Sequence, residues 1–339
     1  MRMKIGFLRV AALISVAAFT LLTGCTSDKA VISQAADFHT TLQPAVMEDP
    51  QLAGYLQQVG GRIVEAARKY NARNPAQDEE SRDWMFTKNM KFHFVNSKTL
   101  NAFTTGGEHM YIYNELFQQA KSEDELAAVM AHEFAHVYSR HVQSGMNRQY
   151  AILGAAAAAG GAGYLVAGDS GLQYGGSGIL LAGQFVGMSY TRDDEAEADK
   201  RGYDFYLRAG WDPAKFGDFF KHMIDLGLDT GSEYLSDHPT LKSRYANAQK
   251  WAASVPAWAL KARKAPVADA AAFKALQQRA VAIGKNTPTD ESLANASQIL
   301  DALPRSCLTP TIREDQKKAE QAVLLKVERA KKAQQGQQK

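Results

Sequence analysis

The sequence predicts a mainly helical α+β protein with one small sheet, and three observations carry that prediction. Residues 49–73 place Leu52, Tyr55, Leu56, Val59, Ile63 and Ala66 at three- and four-residue steps, the spacing of a helix with one apolar face. Lys91-Phe92-His93-Phe94-Val95 and His109-Met110-Tyr111-Ile112-Tyr113 alternate and are rich in strand formers, and they read as the one convincing strand pair. Helical spacing returns at Ser122 and dominates the remainder of the chain. At 339 residues, 45% hydrophobic and 22% charged, the chain is long enough for one large domain plus an appendage.

Residues 1–24 read as a secretion signal: a basic start, then an apolar run from Val10 to Leu22 too short to span a bilayer. Leu22-Thr23-Gly24-Cys25 resembles the lipobox of bacterial lipoproteins, which implies cleavage before Cys25 and a lipid on its sulfur, the chain's expected membrane attachment. Thr26 follows where an Asp would hold a Gram-negative lipoprotein in the inner membrane, so this resemblance implies the outer membrane. Arg2, Lys4 and Arg9 account for the whole formal charge of +3. The remainder is neutral and gives no electrostatic case for binding nucleic acid. Cys25 and Cys307 are the only cysteines, so a lipidated Cys25 leaves no intramolecular disulfide, and a cysteine-based zinc site is excluded.

Residues 25–48 read as a polar tether, and Asn101 to Gly107 as the turn between the strands. Ser122-Glu123-Asp124-Glu125 is a capping box opening a helix that carries Leu126, Val129, Met130, Glu133, Val137 and Arg140. Residues 151–188 are rich in Ala and Gly, with Asp169 their one charged residue. Close-packed helices or a mobile cover over a site are the expectation there, against a membrane-inserting hairpin. Further helices run from Thr191 to Gly210, from Asp212-Pro213 through Met223, and from Leu241 to Ala253. Residues 253–267, with Pro256 and Pro266, read as a linker, 268–330 as a C-terminal helical region, and 331–339 as a disordered tail.

The chemistry centres on His132-Glu133-Phe134-Ala135-His136. Histidines four apart on a helix share a face, so both imidazoles reach one point and can hold Zn²⁺, with the Glu133 carboxylate beside it to act on water. A catalytic zinc wants a third protein ligand. A His further along the same helix fails, because Ser139 and Val142 stand where Gly and His are required. A glutamate about twenty residues on fails too, since no acid occurs between His136 and Asp169. What remains is the cluster Asp193 to Asp199, where Glu195 and Asp199 share a helix face and Glu197 points away. Glu195 is the expected ligand, with Asp199 bracing a ligand histidine from behind. His141 reads as a surface or structural histidine, because five residues carry it well round the helix from His136. His39, His93, His109 and His222 read as structural.

The run 132–136, then Arg192-x-x-Glu195-x-x-Ala198-Asp199-x-x-Gly202, then His238-Pro239 with Arg244, resembles the HtpX and CaaX-protease superfamily of gluzincin metallopeptidases, metallopeptidase family 48. Asn101-Ala102-Phe103 and Gly106-Gly107 are similar to that family's strand region. The resemblance implies a zincin-like metallopeptidase domain over 49–252, one Zn²⁺ per chain, and Glu195 as ligand. It also implies His238 near the metal, stabilising the oxyanion or plugging the zinc at rest; the competing reading is a loop histidine ahead of a proline. Arg244 is expected to anchor that segment to an acid such as Asp199, or to be a surface charge. The implied activity is hydrolysis of peptide bonds in unfolded or misassembled envelope proteins, with β-addition of substrate along 109–113. The alternative of another class is an assembly factor for outer-membrane proteins whose zinc site is mostly latent.

Overall fold

In a computed structural model, the structure describes residues 26–75, 81–158, 183–186, 188, 190–229, 239–286, 290–303 and 314–336. The leader, Cys25, Cys307, His238 and residues 159–182 lie outside the described residues, and so do the expectations placed on them. No described helix is long and apolar enough to cross a membrane.

The chain runs α1 (Asp28–Leu42), α2 (Pro50–Arg73), β1 (Lys91–Val95), β2 (Ala102–Thr104), β3 (His109–Tyr113), α3 (Asn114–Gln119), α4 (Glu123–Tyr138) and α5 (His141–Ala158). It continues with α6 (Arg192–Ala209), α7 (Asp218–Asp225), α8 (Leu241–Ala253), α9 (Ala257–Lys261), α10 (Ala270–Asn286), α11 (Glu291–Ala302) and α12 (Glu314–Gly336). Helix α2 starts where Pro50 follows the N-cap Asp49, whose carboxylate accepts the Leu52 N–H at 2.9 Å. The apolar stripe read from its sequence is the face it buries.

The sheet differs from the sequence reading in a way that matters for function. Its order is β1-β3-β2, with β1 parallel and β2 antiparallel to β3. The segment read as a turn contains the short strand β2, and β1 and β3 are not a hairpin. With neighbours on both sides, β3 has no free edge, so substrate cannot add to it as expected. Strand alternation sends Phe92, Phe94, Met110 and Ile112 into one apolar cluster with α2, α4, α6 and α10. Val95, Tyr111 and Tyr113 go into a second, with α1, α5, α11 and α12.

That second cluster overturns the reading of 25–48 as a tether. Ser27 caps α1, and Val31, Ala35, Phe38 and Leu42 form a buried stripe, with Phe38 stacked on Phe185 at 4.6 Å between centroids. Asp28 accepts from Arg140 Nε at 2.9 Å, Trp84 Nε1 at 2.8 Å and Gln143 Nε2 at 2.9 Å. Burial alone would raise the Asp28 pKa, but Arg140, Trp84 and Gln143 together hold it below the ordinary value of 3.8. A depressed carboxylate contributes stability that is fully present above its unfolded pKa and lost as pH falls through the folded one. Thermal unfolding followed below about pH 4 should therefore show an acid-side decline that Asp28→Asn flattens. An unchanged slope in that variant would remove Asp28 from the account.

The linker and tail readings also change. Ala259 is fully buried, the Lys264 N–H donates to the Gly210 carbonyl at 2.8 Å, and Arg62 Nη1 donates to the Ala265 carbonyl at 3.0 Å. Residues 253–267 are thus a strap bound along the helical core. Helix α10 belongs to the first cluster through Phe273, Leu276 and Ala280. Helix α12 continues to Gly336, into the stretch read as disordered.

Candidate metal centre

Helix α4 is held at its start by acids. The Ser122 hydroxyl accepts the Glu125 N–H at 3.4 Å, while the Glu125 carboxylate turns back to the Lys121 N–H at 3.1 Å, one residue short of the expected reciprocal box. The full capping box belongs to α6, where Thr191 and Asp194 each accept the other's backbone N–H. Gly210, at φ 101°, ends α6 in a left-handed conformation that glycine adopts without strain.

Two turns along α4 lie His132, Glu133 and His136, 2%, 0% and 0% exposed. Their burial follows from how closely α6 packs. A Cβ on Gly202 would sit 2.9 Å from His132 Cα and 3.0 Å from its backbone nitrogen, so only glycine lets the two backbones approach this far. One turn back from Gly202 is Asp199, and two turns back is Glu195, which places both carboxylates over the histidines. Gly202→Ala should push α6 off α4, lower stability by about 1–3 kcal/mol and weaken metal binding. Denaturant unfolding and metal titration check this together, and wild-type values in both would refute the close-approach argument.

His132 Nε2 and His136 Nε2 are 3.0 Å apart; Glu195 Oε2 is 3.5 Å from the first and Glu195 Oε1 is 3.7 Å from the second. Glu195 is fully buried, and neither of its oxygens has a hydrogen-bond partner. Arg244 Nη1 lies 3.8 Å from Glu195 Oε2, too far for a hydrogen bond, so a buried carboxylate that faces two imidazole nitrogens still has room for a cation to complete it. The donor set of two imidazoles and one carboxylate fits zinc.

The surrounding groups fix which ring nitrogens face the centre. Asp199 Oδ1 lies 2.9 Å from His132 Nδ1, so that nitrogen carries the proton and Nε2 keeps its lone pair. Arg244 donates to both Asp199 oxygens, from Nε at 2.8 Å and Nη2 at 2.6 Å, and its guanidinium lies over Phe220 at 4.4 Å. Burial would raise the Asp199 pKa, but Arg244 and His132 outweigh it and hold the carboxyl down at about 2. Arg244 is thus buried against Asp199 and is not a surface charge, while the His238 segment it was expected to anchor lies outside the described residues. A narrow cleft beside His132 is walled by Ala128, Val129, Phe216, Phe219, Phe220 and Arg244.

Behind His136 stand residues that sequence reasoning missed. His141 is buried, its Nδ1 2.9 Å from His136 Nδ1, and its Nε2 lies 3.5 Å from Glu197 and 3.8 Å from Asp194. The expectation of a surface or merely structural histidine assumed one continuous helix. In fact α4 ends at Tyr138, Arg140 turns left-handed at φ 56°, and α5 starts afresh at His141. Glu197, which does point away from Glu195, serves this chain: its bond with His141, then Ser139 and Arg201, draws its pKa to about 2 against the burial that raises it. With Nε2–H of His141 facing the carboxylates, its Nδ1 accepts from His136 and leaves His136 Nε2 for the centre. Tyr190 stacks on His136 at 4.0 Å and 20°; no periodicity marks it, since it stands just ahead of the Thr191 cap.

A sequence profile of peptidase family M48 matches residues 77–252, just over half of the chain. The chain belongs to peptidase family M48. Among M48 relatives, the beta-barrel assembly-enhancing protease of Escherichia coli K12 is 30% identical over 211 residues, 60% of this chain and 39% of the relative. The mitochondrial metalloendopeptidase OMA1 of Saccharomyces cerevisiae is 31% identical over 201 residues, 56% of this chain and 53% of the relative. The metalloprotease LoiP of Escherichia coli K12 is 30% identical over 148 residues, 44% of this chain and 57% of the relative. The chain therefore covers well under half of the first of these and little more than half of the other two. The M48 match takes in both helices that carry His132, His136 and Glu195, α4 and α6.

Proposed function

We propose that this M48 protein is a zinc-dependent endopeptidase of the bacterial envelope, held by a lipid on Cys25 at the periplasmic face of the outer membrane, and that it degrades unfolded or misassembled envelope proteins. The observation that carries the chemistry is the buried Glu195 carboxylate, without a hydrogen bond to either oxygen, opposite His132 Nε2 and His136 Nε2. Bound there, zinc supplies a Lewis acid that polarises the scissile carbonyl and acidifies water. His132, His136 and Glu195 would hold it, with Asp199 and His141 fixing the ring nitrogens presented to it. Glu133, buried beside both ligands on the same helix, takes the proton from the attacking water on its carboxylate and passes it to the leaving amide nitrogen. Arg244 neutralises Asp199 and keeps α8 docked against α6.

The leader-like residues 1–24 and the sequence Leu22 to Cys25 support the location; of the relatives' names, beta-barrel assembly-enhancing protease supports an envelope substrate and metalloprotease supports hydrolysis. The first of those names also favours a second reading, in which the protein assists assembly and its zinc site is seldom exposed. Casein cleavage by the soluble mature chain should disappear after chelation and return with zinc added stoichiometrically. Cleavage that persists in metal-free protein would overturn the proposal.

A further inference from the structure

Three histidines outside the M48 centre come together on the other face of the sheet. His39 is in the last turn of α1, His93 is in the middle of β1, and His109 begins β3. The parallel register, which sets Lys91 against His109 and His93 against Tyr111, brings the two strand histidines to one face, and α1 lays His39 across them. His93 Nε2 is 3.0 Å from His109 Nδ1, and one nitrogen from each of the three rings lies within 4.8 Å of the others. The His39 ring lies 4.5 Å from His93 and 4.3 Å from His109 between centroids, with planes inclined by 29° and 14°.

We propose that His39, His93 and His109 form a second divalent transition-metal site, of the zinc class, that fastens α1 to the sheet. The spacing matches the first centre, where His132 and His136 also present nitrogens 3.0 Å apart. Around a tetrahedral ion with zinc–nitrogen bonds of about 2.0–2.1 Å, ligand nitrogens lie roughly 3.3 Å from one another. The three rings are stacked with planes 14–29° apart, so metal binding requires the side chains to rotate until their lone pairs converge. The group that braces a ligand is already in place: His39 Nδ1 lies 3.0 Å from the hydroxyl of Tyr111, which is fully buried. With Nδ1–H donating to that oxygen, the other nitrogen of His39 keeps its lone pair.

Burial, then the neighbouring histidines and Lys91, push His93 down to about 3 and His109 to about 4, and burial lowers His39 as well. The unfavourable charge of Lys91 acts on His93 and His109, and its ammonium is turned to the Lys88 carbonyl at 2.8 Å. Three partly buried imidazoles suit Zn²⁺, Ni²⁺ or Cu²⁺ and not Mg²⁺ or Ca²⁺. A neutral ring stack that holds no metal is the competing account.

The test is a metal count on the full mature chain, stripped by chelator, reloaded with Zn²⁺ and freed of excess by gel filtration. Wild type should carry about two equivalents, the double variant His39→Gln with His93→Gln about one with casein cleavage retained, and the double variant His132→Gln with His136→Gln about one with cleavage lost. The single variant His39→Gln, at a half-buried position, should lose the same equivalent and so guards against misfolding of the double variant. Bound metal that is unchanged by the His39 and His93 substitutions, whether about one equivalent or about two, overturns the proposal. A single equivalent that vanishes with those substitutions upholds this site and counts against the first.

Discussion

Replacing Glu133 with Gln should leave the metal bound as in wild type and reduce peptide hydrolysis by roughly 10²–10⁴-fold. The two side chains have the same shape, so the fully buried position is not left with a void. What disappears is the capacity to take a proton at neutral pH. Metal retention is expected because the ligands are positioned by other groups: Asp199 behind His132, His141 behind His136, and the Gly202 contact that sets the height of Glu195. Metal analysis and casein cleavage on the same preparation separate the two effects. Turnover within about tenfold of wild type would show that Glu133 is not the proton carrier. The variant also divides the two functional readings. A cell lacking the protein and rescued as well by Glu133→Gln as by wild type would point to assembly rather than proteolysis.

Glu123→Ala should cost about 3–5 kcal/mol of stability, the largest structural effect expected of a side chain that touches neither metal nor substrate. Glu123 is 3% exposed and accepts four hydrogen bonds. The donors are Trp211 Nε1 at 3.0 Å, the Tyr55 hydroxyl at 3.2 Å, and the Val267 and Ala268 N–H groups at 2.7 Å each. Arg62 adds a longer ion pair at 3.9 Å. Truncation leaves these donors buried and unpaired, each a loss of about 1–3 kcal/mol before relaxation. One carboxylate thus joins α2, the start of the motif helix α4, the end of α6 and the strap before α10. Urea unfolding measures the loss, and limited proteolysis should find new cleavage within residues 253–269. A loss under about 1 kcal/mol would mean that water replaces the carboxylate without cost.

The parts of this molecule that were legible in the sequence are those whose signal is local. Helices α2, α4, α6 and α8 carry apolar residues at helical spacing, and α4 and α6 begin at Ser122 and Thr191 and have Glu195 and Asp199 on a computable face. Helix α1 escaped because Val31, Ala35, Phe38 and Leu42 are separated by polar residues and by small ones, so the stripe is thin. Strand β2 is three residues long and has no period to read. The parallel pairing of β1 with β3 is non-local, and the meeting of His39, His93 and His109 depends on it. His141 was misplaced by a single left-handed residue, Arg140, because a helical wheel cannot be extended across a break.

Under the proposed lipid anchor, the early start of ordered structure limits where the protein can work. Thr26 is tied to Asn147 through its N–H at 2.9 Å and its hydroxyl at 2.7 Å, and Ser27 and Asp28 are already the cap and the clasp of α1. A flexible leash reaches outward roughly as the square root of its length, and here no leash follows Cys25. A lipid on that residue would seat the catalytic body directly on the bilayer with a fixed orientation. Such an enzyme patrols a surface rather than a volume, and it meets a client while the client is itself at the membrane.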